Sequence, residues 1–372
     1  MAEPYTNRVL WLMRLKFIRA VQNKKFELAL SVAMTHKNEF SALIIAVDNN
    51  CVQLCETLLR MGWDVNEVRL KDGVTPIHAA VIRKNYTLVD MLIEHGAMVA
   101  RRDISGNIPM AKLLQARYDF NARRVYGLLA GAMRADDFKR RHIHGETLLH
   151  VLAKNNTNTD CNMYWDIMGK GVEIAAKDLY TGRNFLMDLV LHHSDVSFMS
   201  QIVSVVNRRG LSLNQRDMFG ASVIHRIVEE QKCRLLDVIL DYEDVTVRSV
   251  NIHFQSPMTI AAKRVNVCMM RLLYEAGATI DWRVLNVVKA SGSMAVEQRR
   301  VLLMVEEEVQ GRIEINGTTR VKTLKLVAKE RVRSQMIEVN EGNNIRHRIE
   351  RLPLPQELKQ YVREWSVESP VG

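Results

Sequence analysis

Residues 71–102, KDGVTPIHAAVIRKNYTLVDMLIEHGAMVARR, decide how this 372-residue chain folds. The segment opens with a tight turn at Gly73, and Thr75 and Pro76 then stand at the cap and the first position of a short apolar helix. A second apolar stripe at helical spacing follows, and Gly96 can end that helix in the left-handed conformation. The segment therefore predicts a helical hairpin preceded by a turn.

The same pattern recurs along the chain at intervals of 33 to 39 residues. The positions equivalent to Thr75 are Ser41, Ile108, Thr147, Asn184, Ser222 and Ser256. A period of this length is typical of a solenoid, in which neighbouring units bury a continuous core between them. We therefore predict seven hairpins, and we expect the longer copies to carry their additional residues in the loops between helices.

Residues 75–80, TPIHAA, match the T-P-L-H-x-A signature, so the unit closely resembles the ankyrin repeat. The resemblance implies an all-α ankyrin-repeat solenoid that holds another protein on its fingers and inner helices. His78, His150 and His225 occupy one repeat position, which in ankyrin repeats makes structural hydrogen bonds. We expect that role for them rather than a metal or catalytic one.

Two apolar motifs follow the repeats on a basic background. TLKLVAKERV, at 323–332, places an apolar stripe on one side of a helix, and LPLPQELKQYV, at 352–362, places prolines in an extended stretch before a helical turn. In this order they resemble the SOCS box. Its elongin-binding part is matched by Thr323, Leu324, Ala328 and Val332. Its cullin-binding part is matched by Leu352, Pro353, Leu354, Pro355, Leu358, Tyr361 and Val362.

Ala328 stands where the SOCS-box family usually has cysteine, and the smaller side chain should lose some contact without abolishing docking. The resemblance to ankyrin-repeat and SOCS-box proteins implies a non-enzymatic substrate-recognition adaptor of an elongin-cullin-SOCS-box ubiquitin ligase. The implied partners are elongin C, elongin B, a cullin (commonly cullin five) with its RING partner, and a target protein. The alternative is an ankyrin-repeat scaffold or nuclear regulator without a ligase role.

The pattern predicts an N-terminal helical cap over 1–37, ankyrin repeats over 38–281, a divergent helix pair and linker over 282–318, and a small helical SOCS box over 319–366. In the cap, apolar residues are expected on a helix that covers the open end of the stack, because terminal repeats must be atypical. These residues include Phe26, Leu28, Leu30 and Val32.

Composition narrows the classes of function. The net charge of +10 reflects 52 lysine and arginine residues against 42 acidic ones. The arginine pairs are scattered and lack interleaved aromatic residues, which favours a solvated surface over nucleic-acid binding. The five cysteines are odd in number and lack a C-x-x-C pair, which favours reduced thiols over a disulfide framework or a zinc site. Cys51 and Cys55 are interpreted as small packing residues.

No phosphate-binding loop, nucleophile elbow or zinc-protease motif occurs in the sequence, so no enzyme or cofactor is predicted. No secretory apolar region or membrane-spanning run occurs either. We therefore expect a protein without a membrane partner, located in the cytoplasm and in some settings also in the nucleus.

Overall fold

The computed structural model describes residues 3–35, 41–117, 119–142, 144–155, 161–242 and 244–280, together with Val284 and Lys359. The named elements within these ranges are α-helices. The chain divides into two compact units, Met1–Glu173 and Ile174–Gly372, and each is described by itself. The predicted all-α fold is confirmed.

The first unit begins with two helices that pack against each other and then on the first hairpin. Within this unit, the first helices of successive hairpins stack on one another, and so do the second helices of the first three hairpins. The elements are α1 (Glu3–Gln22), α2 (Phe26–Thr35), α3 (Ala42–Asp48), α4 (Val52–Arg60), α5 (Pro76–Ile82), α6 (Tyr86–Glu94), α7 (Pro109–Gln115), α8 (Phe120–Ala132), the short α9 (Ala135–Lys139), α10 (Leu148–Lys154) and α11 (Cys161–Gly169).

The second unit repeats the arrangement in its described residues. Its first helices stack on one another, and so do its second helices. Its hairpins are α12 (Phe185–His192) with α13 (Val196–Arg208), α14 (Val223–Glu229) with α15 (Cys233–Ile239), and α16 (Pro257–Lys263) with α17 (Val267–Glu275).

The first helix of each hairpin starts where the sequence predicted it. The capping residues are Ser41, Thr75, Ile108, Thr147, Asn184, Ser222 and Ser256. The domain boundaries remain predictions. The divergent helix pair, the linker and the SOCS box lie outside the described residues except for Val284 and Lys359.

The two helices of a hairpin are buried in different ways. In α5 every residue from Pro76 to Val81 is buried, because this helix is covered by neighbouring hairpins on both sides. Helix α6 instead buries one stripe that includes Leu88 and Leu92. Truncating either leucine to alanine should cost about 2–5 kcal/mol of stability.

The longer repeats carry some of their additional residues in helices and not only in loops, so that expectation was wrong in part. Helices α8 and α13 each have 13 residues, against 9 in α4 and α6. The third hairpin is also followed by α9. Gly131 and Ala132 at the end of α8 are exposed, so the additional residues of this helix end in solvent.

The N-terminal segment is helical in its described residues, but its packed face differs from the one expected from the sequence. Val32 is buried, whereas Leu28 is 39% exposed. Residues spaced by two fall on opposite sides of a helix, so the four apolar residues named from the sequence cannot share one face. Ala29, Val32 and Ala33, at spacings of three and four, form the buried face instead.

The expectation that all cysteines are reduced was also wrong. Cys233 and Cys268 form a disulfide, with their Cα atoms 6.8 Å apart. They stand in the first turns of α15 and α17, which neighbouring repeats place side by side. The two cysteines are 35 residues apart in sequence, so neither the odd number of cysteines nor the lack of a C-x-x-C pair indicates this disulfide. Cys55 is buried as interpreted, and burial raises the pKa of its thiol to about 12.

Candidate protein-binding surface

His78 connects the start of α5 to the following repeat. Its Nδ1 lies 3.4 Å from the backbone nitrogen of Thr75 and 2.7 Å from the hydroxyl oxygen of the same residue. A backbone N–H can only donate, so Nδ1 is the acceptor and Nε2 carries the proton. Nε2 then donates to the carbonyl oxygen of Asn107 at 3.1 Å. Burial lowers the pKa of His78, which keeps the ring neutral as this arrangement requires.

The Nδ1 atoms of the other two histidines at this position bond to the capping hydroxyl in the same way. Nδ1 of His150 lies 2.9 Å from the hydroxyl of Thr147, and Nδ1 of His225 lies 2.9 Å from the hydroxyl of Ser222. Burial lowers the pKa of His225 to about 4. The structural role predicted for the three histidines is therefore confirmed. In the part of the chain that the structure describes, no three potential metal ligands come together.

We use the word fingers for the extended segments that lead into first helices, at residues 61–75 and 95–108 in the first unit and at 174–184, 209–222 and 245–256 in the second. Neighbouring fingers are joined through their main chains. In the second unit, the backbone N–H of Met218 donates to the carbonyl of Thr181, and that of Ile252 donates to the carbonyl of Phe219, both at 2.9 Å.

The approach of neighbouring fingers depends on their turn glycines. Gly182 has φ +65°, and a Cβ there would lie 2.8 Å from the backbone nitrogen of Met218. A side chain at this position would be strained and would also separate the two fingers. Glycine at the turn is therefore what brings the tips of adjacent fingers together.

In the second unit, each turn is closed by a buried acidic or amide side chain. Asp178 accepts hydrogen bonds from the backbone nitrogens of Tyr180 at 2.9 Å and Thr181 at 2.7 Å. Burial raises the pKa of Asp178, but the hydrogen bonds outweigh that effect and hold the pKa below its usual value. Asp217 accepts from the backbone nitrogens of Phe219 and Ala221 in the next finger, both at 2.9 Å.

The tips of the fingers in the second unit carry large apolar side chains in solvent. We call this set the fingertip patch, and its members are between 40% and 72% exposed. Exposed apolar side chains gathered in one place mark interaction surfaces more often than isolated ones do. The fingertip patch consists of Leu179, Tyr180, Met218, Phe219, Ile252 and Phe254.

The charge around the fingertip patch is positive. Lys177, Arg216 and Arg248 are exposed on the three fingers, whereas Asp178 and Asp217 are buried in the turns. The ammonium group of Lys177 donates to the carbonyl of Arg216 at 2.5 Å, so its stem crosses to the next finger. The patch therefore combines apolar tips with a cationic border.

The fingertip patch was not predicted from the sequence. Its local signal is an apolar residue shortly before a turn glycine, as in Tyr180 before Gly182 and Phe219 before Gly220. The predicted elongin-binding and cullin-binding residues, at 323–332 and 352–362, lie outside the described residues. Their assignment therefore stays a prediction.

Residues 17–103 match the family model of ankyrin repeats, in three copies. The chain thus contains ankyrin repeats, and its fold is that of a protein-binding scaffold. Among the described residues, no helix combines the length and apolar character that crossing a membrane requires.

Similar proteins include potassium channel AKT1 of Oryza sativa subsp. indica and of subsp. japonica, each 36% identical over 75 residues, 20% of this chain and 8% of the channel. Potassium channel AKT3 of subsp. japonica is 36% identical over 67 residues, 18% of this chain and 7% of the channel. The chain thus covers less than a tenth of these relatives. The crystal structure of the ankyrin repeat domain of Bcl-3, a unique member of the IkappaB protein family, aligns with a TM-score of 0.49 and 20% identity, over 63% of this chain and 98% of that one.

Proposed function

We propose that this chain is the substrate-recognition subunit of an elongin-cullin-SOCS-box ubiquitin ligase. The observation that carries the proposal is the order of two modules in one chain. Ankyrin repeats with an exposed apolar surface come first, and the LPLP motif at 352–355 follows them after the helix-like motif at 323–332. The first module supplies a place for a target, and the second resembles a docking element for the ligase.

In this proposal the fingertip patch holds the target protein. Six apolar tips offer area that a partner can bury, at about 25 cal/mol for each Å² removed from water. The cationic border formed by Lys177, Arg216 and Arg248 favours acidic residues beside the apolar contacts. The target segment is therefore expected to combine apolar side chains with acidic neighbours.

The chain itself would act by holding its partner proteins close to each other. Leu324 and its neighbours would bind elongin C, which brings elongin B, and the LPLP motif would select the cullin, commonly cullin five, with its RING partner. Ubiquitin transfer would then take place on the partner proteins, because holding two reactants together replaces a bimolecular encounter with an effectively unimolecular step. No catalytic residue or cofactor is assigned to this chain.

Copurification with elongins B and C tests the proposal. Leu324→Ala combined with Val332→Asp should abolish elongin recovery while leaving the helical content unchanged, because the stripe lies outside the repeats. Ala328→Cys is the matched control and should bind elongin at least as well, since it restores the usual residue. Undiminished elongin recovery by the folded double variant would refute the elongin site.

Replacement of Leu352, Pro353, Leu354 and Pro355 by alanine tests the cullin site separately. Cullin should disappear from immunoprecipitates while elongin remains, because prolines pre-set the extended stretch and the elongin motif is untouched. Target binding should persist while target ubiquitination stops. If the full chain recovers no elongin and instead binds DNA or RNA with steep salt dependence, the nuclear-regulator alternative replaces this proposal.

A further inference from the structure

A polar cavity of about 470 Å³ lies in the first unit, at the turns that connect first to second helices. Arg83, Lys84 and Tyr86 line it from the second hairpin, and Asn121 and Arg124 line it from α8 in the third. These turns are at the opposite ends of the hairpins from the fingers. The cavity is therefore distinct from the fingertips.

The lining is rich in hydrogen-bond donors and positive charge. Three of its side chains are cationic and the others are amides, a hydroxyl and a phenol, so none of them is acidic. The adjoining carboxylate of Asp119 is already engaged. Its Oδ2 lies 2.7 Å from Nζ of Lys84, and its Oδ1 accepts the backbone N–H of Ala122 at 2.8 Å. The charge of Lys84 is thus balanced, and the guanidinium groups of Arg83 and Arg124 supply the excess.

Arg124 is held in place by an aromatic ring. The Cζ of its guanidinium group lies 4.1 Å from the centroid of the Tyr86 ring. Stacking uses the face of the guanidinium group, so its in-plane N–H donors stay available to a ligand. The arginine is pre-organised, which lowers the ordering cost of binding.

We propose that this cavity binds a phosphate group. A phosphate presents several strong acceptor oxygens and matches the planar fork of arginine, whereas a carboxylate offers only two oxygens to donors that converge from different hairpins. The phosphate belongs either to a phosphorylated side chain of a partner or to a free phosphate compound. Both sources share the chemistry that the cavity recognises.

Calorimetric titration of the full chain at low ionic strength tests the site, with inorganic phosphate, pyrophosphate and O-phosphoserine as probes. Arg124→Ala and Arg83→Gln should each weaken binding of the best probe about tenfold. Arg123→Ala is the matched control, since Arg123 is the exposed neighbour on the same helix and does not line the cavity. It should bind as the wild type does. Circular dichroism verifies that each variant is folded.

Stronger binding of O-phosphoserine than of the inorganic probes would identify a phosphorylated protein as the source, and the reverse order would identify a free compound. Arg124→Lys should fall short of the wild type, because lysine keeps the charge but loses the fork. No binding below about 10 mM of any probe, or equal binding by the wild type and the folded Arg124 and Arg83 variants, would overturn the proposal.

Discussion

The side chain of Glu67 caps helix α3 although it lies outside that helix. Its protonation should make the stability of the first hairpin depend on pH. Its Oε1 accepts the backbone N–H of Ile44 at 2.8 Å, in the first turn of α3. Burial raises the pKa of Glu67 to about 7, and the nearby Asp64 acts in the same direction, while the hydrogen bond from Ile44 acts against them. Unlike α5, this helix has no threonine–histidine pair at its start, so the finger supplies its cap.

The sign of the pH effect follows from the raised pKa. The folded chain binds this proton more tightly than the unfolded chain, so the contribution to stability is fully present below pH 4.5 and is lost as the pH rises through about 7. The change in pKa from 4.5 to about 7 corresponds to at most about 3 kcal/mol. Glu67→Gln keeps an acceptor oxygen for Ile44 and removes the buried charge.

Urea denaturation at a series of pH values between about 4.5 and 8.5 measures this effect. The free energy of unfolding of the wild type should fall relative to that of Glu67→Gln as the pH rises, by up to about 3 kcal/mol. Glu56→Gln is the control, because the Glu56 side chain is 41% exposed and should not produce this difference. Parallel pH profiles for the wild type and Glu67→Gln would show that the buried carboxylate is not the cause.

Three further changes test other features. Val265→Asn should raise the free energy of unfolding by about 1 kcal/mol in urea denaturation, because position 265 has a φ of +52°, at which a β-branched residue is strained. A decrease would show that the packing of the valine side chain stabilises the fold more than the strain destabilises it. Cys233→Ser should lower that free energy by about 3 kcal/mol, and a reductant should then have no additional effect; an unchanged free energy in the variant would show that the disulfide does not form in solution. The double variant Tyr180→Ser, Phe219→Ser should keep the free energy of unfolding within about 1 kcal/mol of the wild type but should no longer bind the target protein. Phe120→Ser, at another exposed aromatic residue, should still bind it. Target binding by the double variant would show that the fingertip patch is not the binding surface.

The helix starts were predictable because their signals are local. Thr75 and Pro76 fix the start of α5, and Gly96, with φ +84°, ends the segment after α6. The disulfide and the fingertip patch depend on which residues the stack brings side by side. That proximity is set by the packing of one repeat on the next, so a pattern within one repeat does not contain it.

The same distinction applies to the cavity at Arg124. Its aromatic support, Tyr86, belongs to the preceding hairpin, and neither residue forms a motif by itself. The residues predicted to bind elongin and the cullin were found in a different way, through the spacing of a short linear motif that needs no tertiary contact. Their assignment therefore depends on the binding experiments.

The main-chain bonds between neighbouring fingers make the fingertip patch open to redesign. The bonds from Met218 to Thr181 and from Ile252 to Phe219 use only backbone atoms, so the spacing between tips does not depend on which side chains they carry. Tip residues can then be randomised as a combinatorial library while the glycines and buried aspartates of the turns are kept. A repeat scaffold of this kind allows new binding specificities to be selected without rebuilding the fold.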